Sequence, residues 1–500
     1  EKKPPPSTCT WKICVDLYLS RMGGATSKRA KAQGQVRALD DVISDIGVGW
    51  WQVQLLYILC VASMADAMEI GLLSFLGPCV EEEMGLSSTE ESTITGVVFV
   101  GETIGAFFFG ELADLKGRRY SYAISLVFMA VFGVATYFAG NYAEVLAFRG
   151  LVGFGVGGCC VPFDYLAEVA PPAWRGKACL CSSLWWGFGS VLTTGSAWLL
   201  LDAYGWRVLA LVCAAPVVLA MLALATLHES PRWLLAQGRE PEARAALIAG
   251  ARLNGKDLGE FRLAPYTVKR QHADPREIFA PGLRRSTLQL ALNWVAFGFS
   301  YYGIVLYIAE ILEDSDSSST SSSSDYCSFD YEPIFISSLS EPMVIVLGFL
   351  IIDRSRRVTQ YLSYFLAGLF IALMAYLSST STATLTALAF VARGAIDLAA
   401  STTWLVTPES YPTEVRASAH AVHFIAARLA AFFASYWIYS GLSDSLICTV
   451  IGLLCILAAV NSFLMQETSG VHLDDMQGTP RTSLHKQEPG GEAGRGSGGG

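Results

Sequence analysis

The chain has 500 residues, of which 52% are apolar, 12% aromatic and only 16% charged, and its formal net charge is −9. Soluble proteins carry roughly 25% charged residues, so this composition excludes an ordinary soluble enzyme and a nucleic-acid-binding protein. A helix that crosses the hydrocarbon core of a membrane needs about 20 apolar residues. Such stretches begin near Trp50, Ser92, Tyr120, Tyr142, Gly176, Trp206, Ser286, Pro333, Gln360, Thr384, Ala417 and Ser445. The sequence therefore predicts an all-α membrane protein with twelve transmembrane helices.

The positions of the basic residues predict how these spans are oriented. Of the 35 Lys and Arg residues, 31 fall in segments that share one side of the membrane if the N-terminus is cytoplasmic. The other four, Arg149, Arg207, Arg393 and Arg428, lie within spans or at their edges. Because cytoplasmic loops carry an excess of Lys and Arg, we expect both termini to be cytoplasmic, in a plasma or vesicular membrane.

Composition also divides the chain into five segments. We expect a disordered basic arm at 1–49, a six-helix half at 50–228, a cytoplasmic linker at 229–285, a second six-helix half at 286–466 and a disordered Gly-rich tail at 467–500. Short amphipathic helices are predicted in the linker at 232–237 and 240–252. The sequence leaves open whether Cys79 and Cys327 pair.

Short motifs recur along the chain at a distance of 238 to 244 residues. The pairs are Asp114–Arg119 with Asp353–Arg357, Arg149-Gly150 with Arg393-Gly394, Glu168–Arg175 with Glu409–Arg416, and Glu229-Ser230 with Glu467-Thr468. Four repeats in register predict two six-helix halves with the same orientation. Parallel halves of this kind form a cleft at their interface, and in transporters the substrate binds there near the midplane.

The repeated motifs on the cytoplasmic side predict a latch between helix ends. In the first half Gly110 permits a close helix approach, Asp114 can cap or pair, and the arginines that follow hold neighbouring helix ends. The alternative is that these arginines only set the topology. The second basic loop lacks the leading glycine and has Arg356 where the pattern requires glycine, which argues against a second latch. The predicted gating residues are Gly110, Asp114, Gly117, Arg118, Arg119, Glu168, Arg175, Asp353, Glu409 and Arg416.

Two carboxylates in the first span are the leading candidates for proton coupling. Asp66 and Glu69 lie one helical turn apart near the middle of that span, so both side chains face the same side. An ionised group at this depth costs several kcal/mol, which makes it a functional hypothesis by default. Two carboxylates this close raise each other's proton affinity. The alternative is a structural pair that arginines or the backbone satisfy.

Further polar residues within the spans extend the candidate site. Three arginines either pair with internal acids or hold a substrate anion, and the aromatic side chains of Trp185, Trp186 and Trp404 offer cleft walls. His420 and His423 are read as packing residues rather than as proton relays. The further internal acids are Asp164 and Asp397. The candidate substrate and coupling residues are Asp66, Glu69, Glu102, Arg149, Tyr301, Tyr302, Glu341, Arg393 and Arg428.

Several of these motifs resemble the signature loops of the major facilitator superfamily. They are Gly110–Arg119, Glu168–Arg175, His228–Trp233 and Pro408–Arg416. Within that superfamily, Met64–Glu69, Val97–Gly101, Arg149–Gly158 and Phe299–Gly303 resemble the synaptic-vesicle-two-related (SVOP-like) transporters, whose bacterial relatives include niacin permeases. The resemblance implies the major facilitator fold, transport by alternating access, and an aromatic acid such as nicotinate as one candidate solute.

The sequence as a whole predicts a secondary transporter of a small organic solute, with proton coupling as a hypothesis. It contains no Walker motif, nucleophile elbow or zinc signature, so we expect no enzymatic activity, no cofactor and no metal. The expected partners are the solute, protons and the lipid bilayer, without nucleic acid, and the expected state is a monomer. The rival hypothesis is a transport-inactive SVOP-like protein that serves as a receptor or vesicle component.

Overall fold

A computed structural model describes residues 35–171, 175–264, 275–313, 329–377, 381–411 and 415–469. The described part is almost entirely helical. Before the linker the helices are α1 (Leu39–Ile46), α2 (Trp50–Met84), α3 (Ser88–Lys116), α4 (Arg118–Tyr137), α5 (Tyr142–Val156), α6 (Cys160–Val169) and α7 (Arg175–Leu224). The linker holds α8 (Pro231–Ala236) and α9 (Glu240–Leu253). After it come α10 (Arg284–Glu313), α11 (Tyr331–Ser338), α12 (Ser340–Ile351), α13 (Arg356–Tyr376), α14 (Thr382–Glu409), α15 (Arg416–Ile438) and α16 (Asp444–Leu464).

In the described part of the chain, eleven continuous helical segments are long and apolar enough to cross a membrane. One of them, Leu180–Leu224, has 45 residues. At 1.5 Å per residue it would extend about 68 Å, roughly twice the thickness of the hydrocarbon core. The backbone of Gly205 is non-helical at its middle, so α7 consists of two helices joined by a kink. Counting both gives the twelve predicted spans, six on each side of the linker.

Polar caps explain where several spans begin. The side chain of Ser87 accepts a hydrogen bond from the backbone N–H of Glu90 at the start of α3, and Asn141 does the same at the start of α5. Ser355 and Ser381 cap α13 and α14 in the second half. Each cap satisfies one of the backbone donors that a helix N-terminus leaves free. These residues therefore mark the points at which the chain re-enters the apolar layer.

The two halves meet mainly at two interfaces. Helix α3 of the first half packs against α15 of the second, and α7 packs against α11 and α12. Gly187 on α7 permits the second approach, because a Cβ atom there would lie only 2.7 Å from the backbone nitrogen of Pro342. Both interfaces pass through the middle of the spans, so side chains on these helices lie between the halves.

The segment just before the first span is folded, which corrects the prediction of disorder up to residue 49. Strand β1 (Gln35–Arg37) pairs in parallel with β2 (Phe261–Leu263) of the linker. The next helix, α1, buries Leu39, Val42, Ile43 and Ile46, the spacing of an amphipathic helix. Residues 1–34 and 470–500, which include most of the predicted arm and tail, lie outside the described residues, as does Cys327.

One linker residue connects this segment to the first span. The side-chain oxygen of Asn254 accepts a hydrogen bond from the backbone N–H of Trp51 at 2.8 Å. Its amide nitrogen donates to the side chain of Gln52 at 2.9 Å and to the carbonyl of Ile46 at 3.3 Å. The predicted linker helices, 232–237 and 240–252, correspond to α8 and α9. This part of the linker is therefore attached to the first half.

Candidate functional site: paired arginines and carboxylates

The cytoplasmic motif of the first half forms a compact ionic cluster, here named the first latch. Arg118 lies 2.5 Å from Asp114 and 3.2 Å from Glu168, and its side chain is 17% exposed. The hydroxyl group of Ser230 donates to Glu168, and the indole of Trp233 donates to the carbonyl of Asp114 at 3.0 Å. The first latch therefore joins the ends of α3, α4 and α6 to the start of the linker.

The second half builds the same arrangement, here named the second latch. Arg356 lies 2.9 Å from Asp353 and 3.4 Å from Glu409. The hydroxyl group of Thr468 donates to Glu409 at 2.7 Å, as Ser230 does to Glu168 in the first half. The expectation that argued against a second latch is wrong, since Arg356 contacts an aspartate and a glutamate as Arg118 does.

Each latch also caps a helix with a carboxylate. Glu229 accepts backbone hydrogen bonds from Arg118 and Arg119 at the start of α4, and Glu467 accepts one from Arg356 at the start of α13. Burial raises the pKa of Glu229, and these hydrogen bonds offset part of that effect. Burial also acts to raise the pKa of Glu467, but the hydroxyl of Ser355 and backbone donors outweigh it, so its pKa lies below the usual value. A carboxylate at a helix N-terminus is favoured by the helix dipole.

The other five predicted gating residues are two glycines and three arginines. Gly110 has open space where a Cβ atom would lie, so it does not permit a close helix approach in this conformation. Arg119 is exposed and contributes its backbone N–H to Glu229. Arg175 and Arg416 begin α7 and α15, and their side chains lie outside what the structure describes. Gly117 has φ +110°, and a Cβ atom there would lie 2.8 Å from the carboxyl carbon of Glu229.

Within the membrane, Glu69 forms a buried ion pair with Arg149. The distance is 2.7 Å, and both side chains are 0% exposed. These two residues lie on α2 and α5, so the pair is internal to the first half. The prediction that Asp66 and Glu69 act as one carboxylate pair is therefore corrected, because each carboxylate faces a different arginine.

Asp66 belongs to a second group of charges, here named the Arg428 cluster. Arg428 on α15 lies 2.6 Å from Glu102 on α3 and 3.9 Å from Asp66 on α2. Its guanidinium group also donates to the hydroxyl group of Tyr302 on α10. All four residues are buried. The Arg428 cluster joins two carboxylates of the first half to an arginine and a tyrosine of the second.

A third group, the Arg393 cluster, also bridges the halves. Arg393 on α14 lies 2.6 Å from Glu341 on α12. The hydroxyl group of Ser190, on α7 of the first half, donates to Glu341 at 3.2 Å and accepts from Arg393 at 2.6 Å. Tyr301 donates to Glu341 at 3.3 Å, and the indole of Trp186 donates to Tyr301 at 2.5 Å.

The glutamates of the two bridging clusters occupy corresponding places in the repeat. Glu341 lies 239 residues after Glu102, the same offset that relates Asp353 to Asp114. Glu102 contacts α15 of the opposite half, and Glu341 contacts α7, so each glutamate faces across the interface between the halves. Sequence reasoning missed Ser190, which is neutral and belongs to no motif. The repeat offset of Glu341 was the signal that could have pointed to this contact.

The remaining predicted residues lie around these clusters. Asp397 is buried within electrostatic range of Arg393 and Glu341, whereas Asp164 is exposed and lies near Arg118 of the first latch. His420 packs against Trp404 at a ring distance of 4.9 Å, which agrees with a packing role. Trp185 packs against Tyr57 within the first half, whereas Trp186 reaches the opposite half. His423 shares a hydrogen bond of 2.8 Å with Tyr411.

With this geometry in place, comparison with known proteins decides the family. A family model described as "Sugar (and other) transporter" matches residues 47–479. The chain belongs to this family of the major facilitator superfamily. The predicted resemblance to SVOP-like transporters is confirmed by the synaptic vesicle 2-related protein of Xenopus laevis. It is 32% identical over 454 residues, which cover 87% of this chain and 82% of the relative.

Two further comparisons agree with this family membership. Organic cation/carnitine transporter 7 of Arabidopsis thaliana is 32% identical over 431 residues, covering 77% of this chain and 85% of the relative. The solved structure of the proton:xylose symporter XylE has a TM-score of 0.67 at 20% identity, covering 85% of this chain and 98% of XylE. The second likeness supports the predicted major facilitator fold. The chain is a multi-pass membrane protein of a transporter family.

Proposed function

We propose that the protein carries a small organic solute across the membrane by alternating access. The observation that carries this proposal is the Arg428 cluster, in which Arg428 from one half contacts Glu102 and Asp66 from the other. A buried ion pair between two bodies has two discrete states, formed and broken, and a ligand that favours one state shifts the population toward it. This is the property that an alternating-access transporter requires at its midplane.

Contacts on both sides of this cluster support the same reading. At the end of the spans remote from the latches, Thr93 shares a hydrogen bond of 3.0 Å with Tyr436 of the other half. At the latch end, Lys177 of the first half lies 3.7 Å from Asp353 of the second. Rocking one half against the other would break one set of contacts while keeping the other. The latches lie where such a movement must be held.

We further propose that proton transfer at Asp66 and Glu102 is coupled to transport. The Arg428 cluster contains two carboxylates and one guanidinium group, so one carboxylate has no neutralising partner when both are ionised. Burial disfavours such an uncompensated charge, and a bound proton removes it. Glu69 is excluded from this role because Arg149 already neutralises it.

The proposal includes an orientation with both termini and both latches in the cytoplasm. The excess of Lys and Arg on the latch side supports it. A disulfide bond at Cys79, near the opposite end of α2, is consistent with an oxidising compartment on that side. The plasma membrane and a vesicular membrane both fit this arrangement. Staining of terminal tags in intact and permeabilised cells tests it, and a tag accessible from outside contradicts it.

The test of function is transport by the purified protein in liposomes. A panel of sugars, organic cations and aromatic acids is offered as labelled solutes, with and without an imposed pH gradient. We expect one class to be taken up, with accumulation above equilibrium only when the gradient is present. Uptake of no solute, by protein that retains its fold in the liposomes, would favour the receptor or vesicle-component hypothesis. Uptake that is independent of the pH gradient would contradict the proposed proton coupling but not the proposed transport.

Nicotinate, the solute suggested by the niacin permeases, is disfavoured by this geometry. The cationic groups that a carboxylate solute would meet in these clusters are arginines, and all three already face acids. Arg149 pairs with Glu69, Arg393 with Glu341, and Arg428 with Glu102. The organic cation/carnitine relative supports an organic solute in general.

A further inference from the structure

The guanidinium group of Arg428 occupies a site with the features of a binding pocket for an organic cation. Its central carbon lies 4.6 Å from the ring centre of Phe424 and 5.2 Å from that of Tyr302. Phe99 packs against Tyr302 at a ring distance of 4.9 Å. Aromatic faces together with carboxylates are the groups that recognise ammonium and guanidinium ligands in proteins.

The two halves contribute complementary parts of this pocket. The first half supplies the carboxylates of Asp66 and Glu102, and the second half supplies Arg428 and the rings of Tyr302 and Phe424 that face it. The contact between Arg428 and Glu102 is a charge pair without hydrogen-bond alignment, so both Glu102 oxygens lack a hydrogen-bond donor among the described residues. The carboxylates therefore keep the capacity to accept directed hydrogen bonds from a ligand.

We propose that the transported solute is a monovalent organic cation, and that it displaces Arg428 from this pocket. This inference rests on the proposed transport function. The solute replaces a cation tethered to the second half by one that is free to leave. Binding therefore breaks the contact between Arg428 and Glu102, and this contact is one that holds the halves together. Binding of the solute and opening of the interface between the halves therefore become the same event.

The charge count also makes solute binding depend on pH. The groups that face the pocket are Asp66, Glu102 and Arg428, with the thiol of Cys159 beside Asp66 and the neutralised pair of Glu69 and Arg149 nearby. Because the solute replaces Arg428, the pocket still holds one cation against two carboxylates, and protonation of either carboxylate weakens its attraction for the solute.

Three ligands of nearly equal shape test the charge requirement. 1-Methylnicotinamide is a monovalent cation, nicotinamide is its neutral counterpart and nicotinate is its anionic counterpart. We expect only 1-methylnicotinamide to bind the purified protein and raise its melting temperature. Its apparent Kd should rise by up to about tenfold for each unit by which the pH falls, once protons compete for the pocket, as linkage requires. Binding of nicotinate or of sugars instead, with no effect of the cation, overturns the inference.

Variants locate the binding site. Arg428→Gln removes the tethered cation and is expected to tighten 1-methylnicotinamide binding at least tenfold while slowing exchange. Arg393→Gln makes the same change in the other bridging cluster and serves as the matched control, with no gain in affinity. Glu102→Gln should weaken cation binding at least tenfold, and it decides the matter if Arg428→Gln does not fold. Unchanged affinity in Glu102→Gln places the cation elsewhere and overturns the inference.

Transport measurements separate this inference from the proposed function. Transport of 1-methylnicotinamide in liposomes supports both. Gradient-driven uptake of another solute class, with no binding of the cation, refutes the cation pocket and leaves the transport function standing. Tight and selective cation binding without movement of any solute refutes the transport function and supports the pocket as a receptor site.

Discussion

Replacement of Glu69 should damage the fold, whereas replacement of its neighbour Asp66 should damage coupling. Glu69→Gln leaves Arg149 as a buried cation without its carboxylate, at a site where both side chains are fully buried and 2.7 Å apart. Breaking a buried ion pair by removing one partner costs about 3–5 kcal/mol. We therefore expect a large fall in the melting temperature and in the yield of folded protein.

A double variant tests the physical reason for that loss. Glu69→Gln combined with Arg149→Gln removes both charges, so no buried group is left uncompensated. We expect the double variant to recover about 0.5–3 kcal/mol of stability relative to the sum of the single variants, the usual size of the interaction energy between contacting residues. Thermal unfolding in one detergent provides the measurement. Additive losses would refute the ion pair as the source of the instability.

Asp66→Asn is the comparison that separates the two neighbours. Arg428 keeps Glu102 at 2.6 Å when Asp66 is neutral, so no unpaired charge is created and the loss of stability should stay below about 1 kcal/mol. The same variant fixes the neutral form of a proposed proton site. Gradient-driven accumulation should disappear while counterflow exchange continues. If Asp66→Asn unfolds as readily as Glu69→Gln, and native uptake is independent of pH, the coupling role assigned to Asp66 is wrong.

The fold was largely accessible from the sequence because its signals are local or periodic. Apolar stretches of about 20 residues predicted the twelve spans, and the repeat predicted two halves. The folded segment at 35–46 was not predicted, because its burial depends on distant linker residues such as Asn254 and Phe261. An eight-residue helix next to a basic arm has no local signal strong enough to reveal such a contact.

The sequence also predicted which acids and arginines belong to the charged clusters, but it did not predict which arginine each acid contacts. Asp66 and Glu69 share one side of α2, yet the packing of α3, α5 and α15 around that helix decides which arginine each one meets. No rule of spacing within one helix contains this information. Ser190 has no charge and no motif, so its contact between Glu341 and Arg393 emerges only when the halves are packed together.

The second latch shows why a fixed motif spacing can mislead. Asp353 lies 239 residues after Asp114, but Arg356 lies 238 residues after Arg118, so the second loop is one residue shorter. A strict alignment therefore places Arg356 in the position of a glycine. In three dimensions the shorter loop still brings Arg356 to Asp353, and the ionic contact is kept. Function follows the contact that the loop can reach and not the position in the motif.

Three further predictions concern the latches and the bridge between the halves. Arg118→Ala and Arg356→Ala should each slow counterflow exchange several-fold with ligand affinity unchanged, and a native exchange rate would leave these arginines as topology signals only. Gly117→Ala should lower stability by about 1–3 kcal/mol, because a side chain at φ +110° is strained and meets Glu229, and an unchanged melting temperature would contradict this. Ser190→Ala removes the hydroxyl of the bridge but leaves the ion pair of the second half at 2.6 Å. Since a single buried hydrogen bond contributes about 1 kcal/mol, the melting temperature should fall slightly while the rate of exchange changes several-fold. A loss of several kcal/mol with a native exchange rate would mean that the Ser190 contact supports the fold and does not hold the two halves together.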